Sequence, residues 1–287
     1  MKNLLSTIMC GLLVILSRCE KPVLAEQETN DQPTEGNLTV SVYKIEQTPF
    51  ADFTRTSASE VCTRLNFAIY NADGKRIKQT DQTSSMANFG HASFQLSEGT
   101  YQIVVVAQSS GGNPTMTDPT KIQFTNAKGY SDTFLYSDEV TVTGEKQEIR
   151  ASLNRIVSLC RLVITDDIPA NVKKMQFYYT GGSGAFDAYT GLGSVKSKQT
   201  VTYNVTEGNN QFDLYTFLHD TEGTIQLKVT ALDASDNVLY ERDLSVPMVK
   251  NKITWLSGAF FNGSDSQDNT ISIDINTEWD GEIHITF

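Results

Sequence analysis

The residues best suited to chemistry in this 287-residue chain are few and scattered. His91, His219 and His284 fall in separate strands or loops, and none has a Cys, His or Asp partner at ligand spacing, so no zinc site is expected. Asp265, Ser266, Gln267, Asp268 and Asn269 set oxygen donors in the order of a calcium loop. Thr270, however, stands where the sharp turn needs glycine, and Asn276 where the bidentate glutamate belongs, so the stretch reads as a solvated turn. Gly181-Gly182-Ser183-Gly184 lacks the lysine and the following helix of a phosphate loop, and it contains no nucleophile-elbow pattern; it reads as a flexible loop. Asp166 and Asp167 are adjacent carboxylates at a strand end, where neighbours point apart and cannot share a substrate. Trp255 and Trp279 could stack on sugar rings, although aromatic residues in strands more often fill cores. The sequence therefore implies no catalytic residue, no metal and no cofactor.

Charge narrows the partners. The formal net charge is -11 with a pI near 4.8, which argues against nucleic acid, since a phosphate backbone needs a Lys/Arg-rich face. Of the four cysteines, Cys10 and Cys19 lie in the N-terminal leader. Cys62 and Cys160 remain for the folded part, and in an oxidising compartment they either pair or stay as two free thiols.

The elements that must carry these residues begin with an export signal. Lys2 precedes an apolar run, Leu4 to Leu16, that is too short to span a bilayer. Leu16-Ser17-Arg18-Cys19 resembles the lipobox of bacterial lipoproteins, with Arg18 where that pattern has a small residue. Two processing routes follow: acylation of Cys19, or ordinary cleavage after Ala25 behind the small-residue spacing of Val23-Leu24-Ala25. A multiply acylated, palmitate-bearing cysteine would hold the chain stably on a membrane. Glu20 to Gly36 is acidic, contains Pro33 and has few large apolar residues, as a solvated tether does.

After the tether the period is that of strands. Leu38, Val40 and Val42 alternate with polar residues, as do Leu65, Phe67 and Ile69 before the turn Asn71-Ala72-Asp73-Gly74. Ile103 to Ala107 is apolar throughout and fits a central strand. Gln147 to Ile164 reads as two strands with almost no linker, broken only at Asn154-Arg155, and marks the junction of two β units. The second half continues with strands at 172–179, 201–205, 212–218, 225–232, 238–246, 253–261, 271–275 and 283–287. Ser109–Thr120, Gly181–Gly193 and Asn262–Asn269 read as exposed loops. The expectation is an all-β protein in consecutive units: leader 1–19, tether 20–36, and β-sandwich domains at 37–154 and 155–287.

Several segments in this order resemble the fimbrillin and fimbrial-anchor superfamily of Bacteroidetes, the subunits of type V pili. They are the runs Leu65 to Gly74, Leu96 to Tyr101, Leu153 to Val163, Val246 to Gly258 and Ile275 to Gly281. The resemblance implies two tandem transthyretin-like β-sandwich domains, an outer-membrane lipoprotein anchored through Cys19, and a structural, non-enzymatic role at the cell surface. It also implies a site. In polymerising members an Arg-specific protease cuts after the first strand and a neighbouring subunit's extended segment replaces that strand. Here the cut would fall between Arg55 and Thr56, the departing strand would carry Leu38, Val40 and Val42, and Ile283, Ile285 and Phe287 would form the donor. Burying Leu38, Val40 and Val42 would contribute roughly 5 to 9 kcal/mol. In anchor-type members the strand stays, and Arg55 is then an ordinary loop residue. Expected partners are other fimbrial subunits through donor-strand contacts, the lipid of the outer membrane, and host or bacterial surface ligands. The rival reading is a glycan-binding outer-membrane surface lipoprotein that uses aromatics such as Tyr189 in the 109–120 or 181–193 loops.

Overall fold

Alternating side chains commit most of this chain to strands, and the two faces of each strand then decide what packs on what. The computed structural model describes residues 36–45, 58–262 and 282–286. The first strands are β1 (Leu38–Ile45), β2 (Arg64–Asn71), β3 (Arg76–Thr83), β4 (His91–Phe94), β5 (Gly99–Gln108), β6 (Ile122–Gln123), β7 (Thr133–Val142) and β8 (Gln147–Arg155). The single α-helical turn among the described residues is α1 (Ala58–Val61). The second half supplies β9 (Ser158–Ile164), β10 (Lys174–Thr180), β11 (Ala185–Asp187), β12 (Leu192–Gly193), β13 (Gln199–Asn204), β14 (Gln211–Thr216), β15 (Glu222–Leu232), β16 (Val238–Val249), β17 (Ile253–Gly258) and β18 (Glu282–Thr286). The fold is all-β, as expected.

Seven strands of the first half form one ladder in the order β3-β2-β5-β7-β8-β1-β4. The ladder narrows between β7 and β8, which pair only at Phe134 with Arg155 and Leu135 with Asn154. On one side of that narrowing β3, β2, β5 and β7 run antiparallel; on the other, β1 lies between β8 and β4. Leu38, Val40, Ala92, Phe94, Ala151 and Leu153 from β1, β4 and β8 share a buried core with Leu65, Phe67, Ile69, Ile103, Val105 and Phe134. Two layers thus face each other across an apolar interior. Gln82 on β3 joins their far edges: its Nε2 donates to His91 O at 2.7 Å and its Oε1 accepts from Gly90 N at 3.0 Å.

In the second half the sheet β13-β10-β15-β16 faces the sheet β14-β9-β17-β18. Met175, Phe177, Tyr179, Leu227 and Val229 from the first pack on Cys160, Leu162, Phe212, Leu214 and Leu256 from the second. β8 and β9 are separated only by Ile156 and Val157, both buried.

A third core spans both halves. The outward faces of β2 and β5, with Ala68, Tyr70, Val104 and Val106, pack with Met116, Phe124, Leu159, Phe186, Phe217 and Ile253. Here the 109–120 and 181–193 segments depart from the expected exposed loops. β6 pairs with β11, Met116 and Phe186 are fully buried, and Tyr70 donates to Met116 O at 2.8 Å. The cause is aromatic packing that local composition does not announce: Phe124 and Phe217 stack at 5.8 Å, and Phe186 meets Phe217 at 5.0 Å.

Candidate functional site

β1 is the middle strand of a three-stranded layer. It runs parallel to β8, from Leu38 opposite Gln147 to Ile45 opposite Leu153, and antiparallel to β4, from Leu38 opposite Phe94 to Ser41 opposite His91. Among the described residues each neighbour depends on it, since β4 pairs with no other strand and β8 meets β7 only at its last residues. The parallel pairing joins the first strand of this half to its last, so the connection is made through space rather than by a turn.

The inward side chains follow the period of two. Leu38 and Val40 are wholly buried, whereas Val42 is only half-buried and Tyr43 stands in solvent beneath the Arg150 guanidinium at 3.9 Å. The expected contribution of three valine- and leucine-sized side chains therefore shrinks to that of Leu38 and Val40, about 3 to 6 kcal/mol. The shortfall arises because β4 ends opposite Ser41 and leaves Val42 near the rim.

Polar side chains fix the strand's position. Asn37 is buried and bonds both backbone groups of Leu96. Thr39 Oγ1 lies 3.2 Å from Ser93 Oγ, and Ser41 Oγ lies 3.1 Å from His91 Nδ1. A Cβ on Gly36 would fall 2.2 Å from Phe94 O, so the chain enters β1 against the β4 backbone. No sequence motif marks Asn37 or Gln82, and β4 is only four residues long. The one available signal was the alternation of Ala92 and Phe94 with His91 and Ser93.

The other expected site residues lie elsewhere. Cys19, Arg55, Thr56 and Phe287 are outside the described residues, as are Trp279 and the 265–276 stretch. Arg55 belongs to the 46–57 segment that connects β1 to α1. Ile283 and Ile285 belong to β18, which pairs in parallel with β17 opposite Thr254 and Leu256. The structure does not bring β18 next to β1, because they sit in different sheets.

The chemically suggestive residues have structural duties. His219 Nδ1 donates to Gly193 O at 2.8 Å. Asp166 accepts from Phe260, Phe261 and Asn262 N–H groups at 2.7 to 2.8 Å. Burial pushes its carboxyl up, but those amide donors outweigh burial and hold it below the usual carboxylate range. Cys62 and Cys160 are free and buried in separate cores. Burial pushes the Cys62 thiol up to about 12 and raises Cys160 as well, so neither is a nucleophile at neutral pH. Trp255 is half-buried with the Arg161 guanidinium 4.8 Å from its ring. Of the two loops expected to offer aromatics to a glycan, Tyr189 alone is an exposed large hydrophobic residue. No group of three or more His, Cys, Asp or Glu among the described residues is placed to hold a metal ion.

The architecture is that of an all-β protein with a first strand held from both sides by strands distant in sequence. The chain belongs to a family of unknown function, DUF6562, whose family model matches residues 28–287. No curated protein matches it. Among solved structures it is similar to a candidate adhesin from Bacteroides ovatus, with 15% identity over 72% of this chain and 82% of that one and a TM-score of 0.47. It is also similar to the fimbrial anchor protein Mfa2 from Porphyromonas gingivalis, at 14% identity over 72% and 81% of the two chains and a TM-score of 0.41. A fimbrial assembly protein from Parabacteroides distasonis matches at 14% identity over 77% and 90%, with a TM-score of 0.38.

Proposed function

We propose that this chain is a structural subunit of a cell-surface fimbria, acting as stalk, accessory or anchor, held on the outer membrane through acylated Cys19 and assembled by β-strand addition to mediate adhesion. The observation that carries the reading is the position of β1 between β8 and β4, with Leu38 and Val40 wholly buried. A strand removed from that place opens a groove with two free backbone edges and an apolar floor. The exposed floor alone is worth about 3 to 6 kcal/mol, a large part of the ~5 to 15 kcal/mol that keeps a domain folded. Such a groove is unstable until another extended segment fills it. The sole covalent tie between β1 and the rest of the fold is the 46–57 segment that contains Arg55. The same reading takes 37–154 and 155–287 as tandem β-sandwich domains. In its support, one core draws only on residues 38–153 and another only on residues 160–260.

The experiment is the intact mass and N-terminal sequence of the chain recovered from native outer membranes and from filaments sheared off the cells. A blocked, acylated chain beginning at Cys19 makes it an anchor or unprocessed precursor that keeps β1. A filament-borne chain beginning at Thr56 makes it a polymerising subunit. A free chain beginning at Glu26 and absent from both fractions overturns the reading.

A further inference from the structure

The outward face of the β13-β10-β15-β16 sheet carries polar side chains around one aromatic ring, Tyr178. Met175, Phe177 and Tyr179 turn into the core, so Lys174, Gln176 and Tyr178 of the same strand turn outward. Register places Tyr178 between Thr200 and Lys228, and Gln176 between Thr202 and Thr230. At one end the ladder shifts between Ala231 and Leu232, and the turn through Asp236 lifts its side chain and that of Val238 beside the sheet. The result is a shallow, open cleft of about 570 Å³ over Gln176, Tyr178, Thr200, Thr202 and Thr230.

We propose that this cleft binds a neutral oligosaccharide, a role distinct from the strand-mediated assembly above. Three features select the ligand. First, the cations of the site are already engaged: Lys174 pairs with Asp236 at 2.6 Å, and Lys228 lies between Glu241 at 2.5 Å and Asp243 at 3.5 Å. Two cations thus face three carboxylates on a chain whose net charge is -11, and neither cation is left for an anionic ligand. Second, the floor is made of planar amide, hydroxyl and carboxylate groups held in place by strand register and ion pairs. Such groups exchange water for the adjacent hydroxyls of a sugar without having to be ordered first. Third, Tyr178 gives a half-exposed aromatic ring in the middle of the polar floor, and Val238, 60% exposed, gives an apolar lip. A ring face and a lip suit the C–H face of a pyranose, which a purely polar ligand would leave unpaired.

The test uses the full chain on a glycan array carrying neutral oligosaccharides from mannan, glucan and galactan beside acidic ones from heparin and alginate. Titration calorimetry with the best neutral hit follows for Tyr178→Ala, Tyr178→Phe and Tyr189→Ala, each checked for an unchanged Tm. The proposal expects a neutral hit that Tyr178→Ala weakens at least about tenfold, the loss of a stacking platform, while Tyr178→Phe costs less than roughly threefold. Tyr189→Ala should leave binding unchanged. If Tyr178→Ala lowers the Tm, Gln176→Leu replaces it, with the same expected weakening. No neutral hit, binding confined to acidic glycans or to a protein, binding indifferent to Tyr178→Ala and Gln176→Leu, or binding lost in Tyr189→Ala would each overturn it. Filament assembly is read separately and can fail while this site stands.

Discussion

Asn37 satisfies both backbone groups of one distant residue: its Nδ2 donates to Leu96 O at 2.8 Å, and its Oδ1 accepts from Leu96 N at 2.9 Å. The residue just before β1 is thereby tied to the turn that leads from β4 into β5. Asn37→Ala leaves a buried N–H and a buried carbonyl without partners and should lower stability by roughly 2 to 4 kcal/mol. Asn37→Asp should not rescue it, because a carboxylate oxygen would then face the Leu96 carbonyl. Urea denaturation of the three proteins checks both statements.

Gly181 and Gly208 both adopt left-handed backbone, at φ of 92° and 78°, but their surroundings differ. A Cβ on Gly181 would lie 2.3 Å from Thr224 O, whereas one on Gly208 meets nothing within 4 Å. Gly208→Ala should therefore cost only the conformational penalty of about 1 kcal/mol. Gly181→Ala adds a backbone collision and should cost at least about 3 kcal/mol. Comparing the Tm values of the two variants separates conformational strain from crowding.

Asp166 predicts a pH dependence. Its carboxyl is held below its unfolded value by the amides of Phe260, Phe261 and Asn262, so its contribution is present above the unfolded pKa of about 3.9 and is lost as pH falls further toward the folded value. Asp166→Ala should be less stable than the parent by roughly 1 kcal/mol at neutral pH, a low figure because the site is partly open to water. The gap should narrow below about pH 3.9, as measured by denaturation of both proteins at matched pH.

How much of this was legible follows from where each residue gets its instructions. Strands such as β2, β5, β8 and β9 carry their burial in their own alternation or apolar run, and the sequence placed them within a few residues. β3, RIKQTDQT, has a single buried residue, Gln82, so its strand character comes from pairing with β2 and not from its composition. The glycines of the 181–193 segment suggested flexibility, yet they serve close packing: a Cβ on Gly182 would fall 2.0 Å from Thr216 Oγ1. The alternation of β1 was visible, but its parallel partner, more than a hundred residues away, was not. No local pattern encodes a pairing whose closure depends on the whole intervening sheet.

The last prediction concerns β1 itself. Val40 is fully buried and lies opposite Ala92 on one side and Ile149 on the other, so Val40→Asp sets an unpaired carboxylate between two strands. It should cost at least about 3 kcal/mol, whereas Tyr43→Ala, which loses an exposed ring over Arg150, should cost less than about 1 kcal/mol. Amide exchange at Ala92 and Ile149 should quicken in Val40→Asp and not in Tyr43→Ala, because among the described residues β4 has no other strand partner and β8 has β7 only near Arg155. A synthetic peptide of residues 37–45 with the parent sequence should then recover much of the lost stability by taking the place of the weakened strand. If the peptide has no effect while the destabilisation is as large as expected, the groove does not accept a strand in trans, and exchange at β1 is refuted.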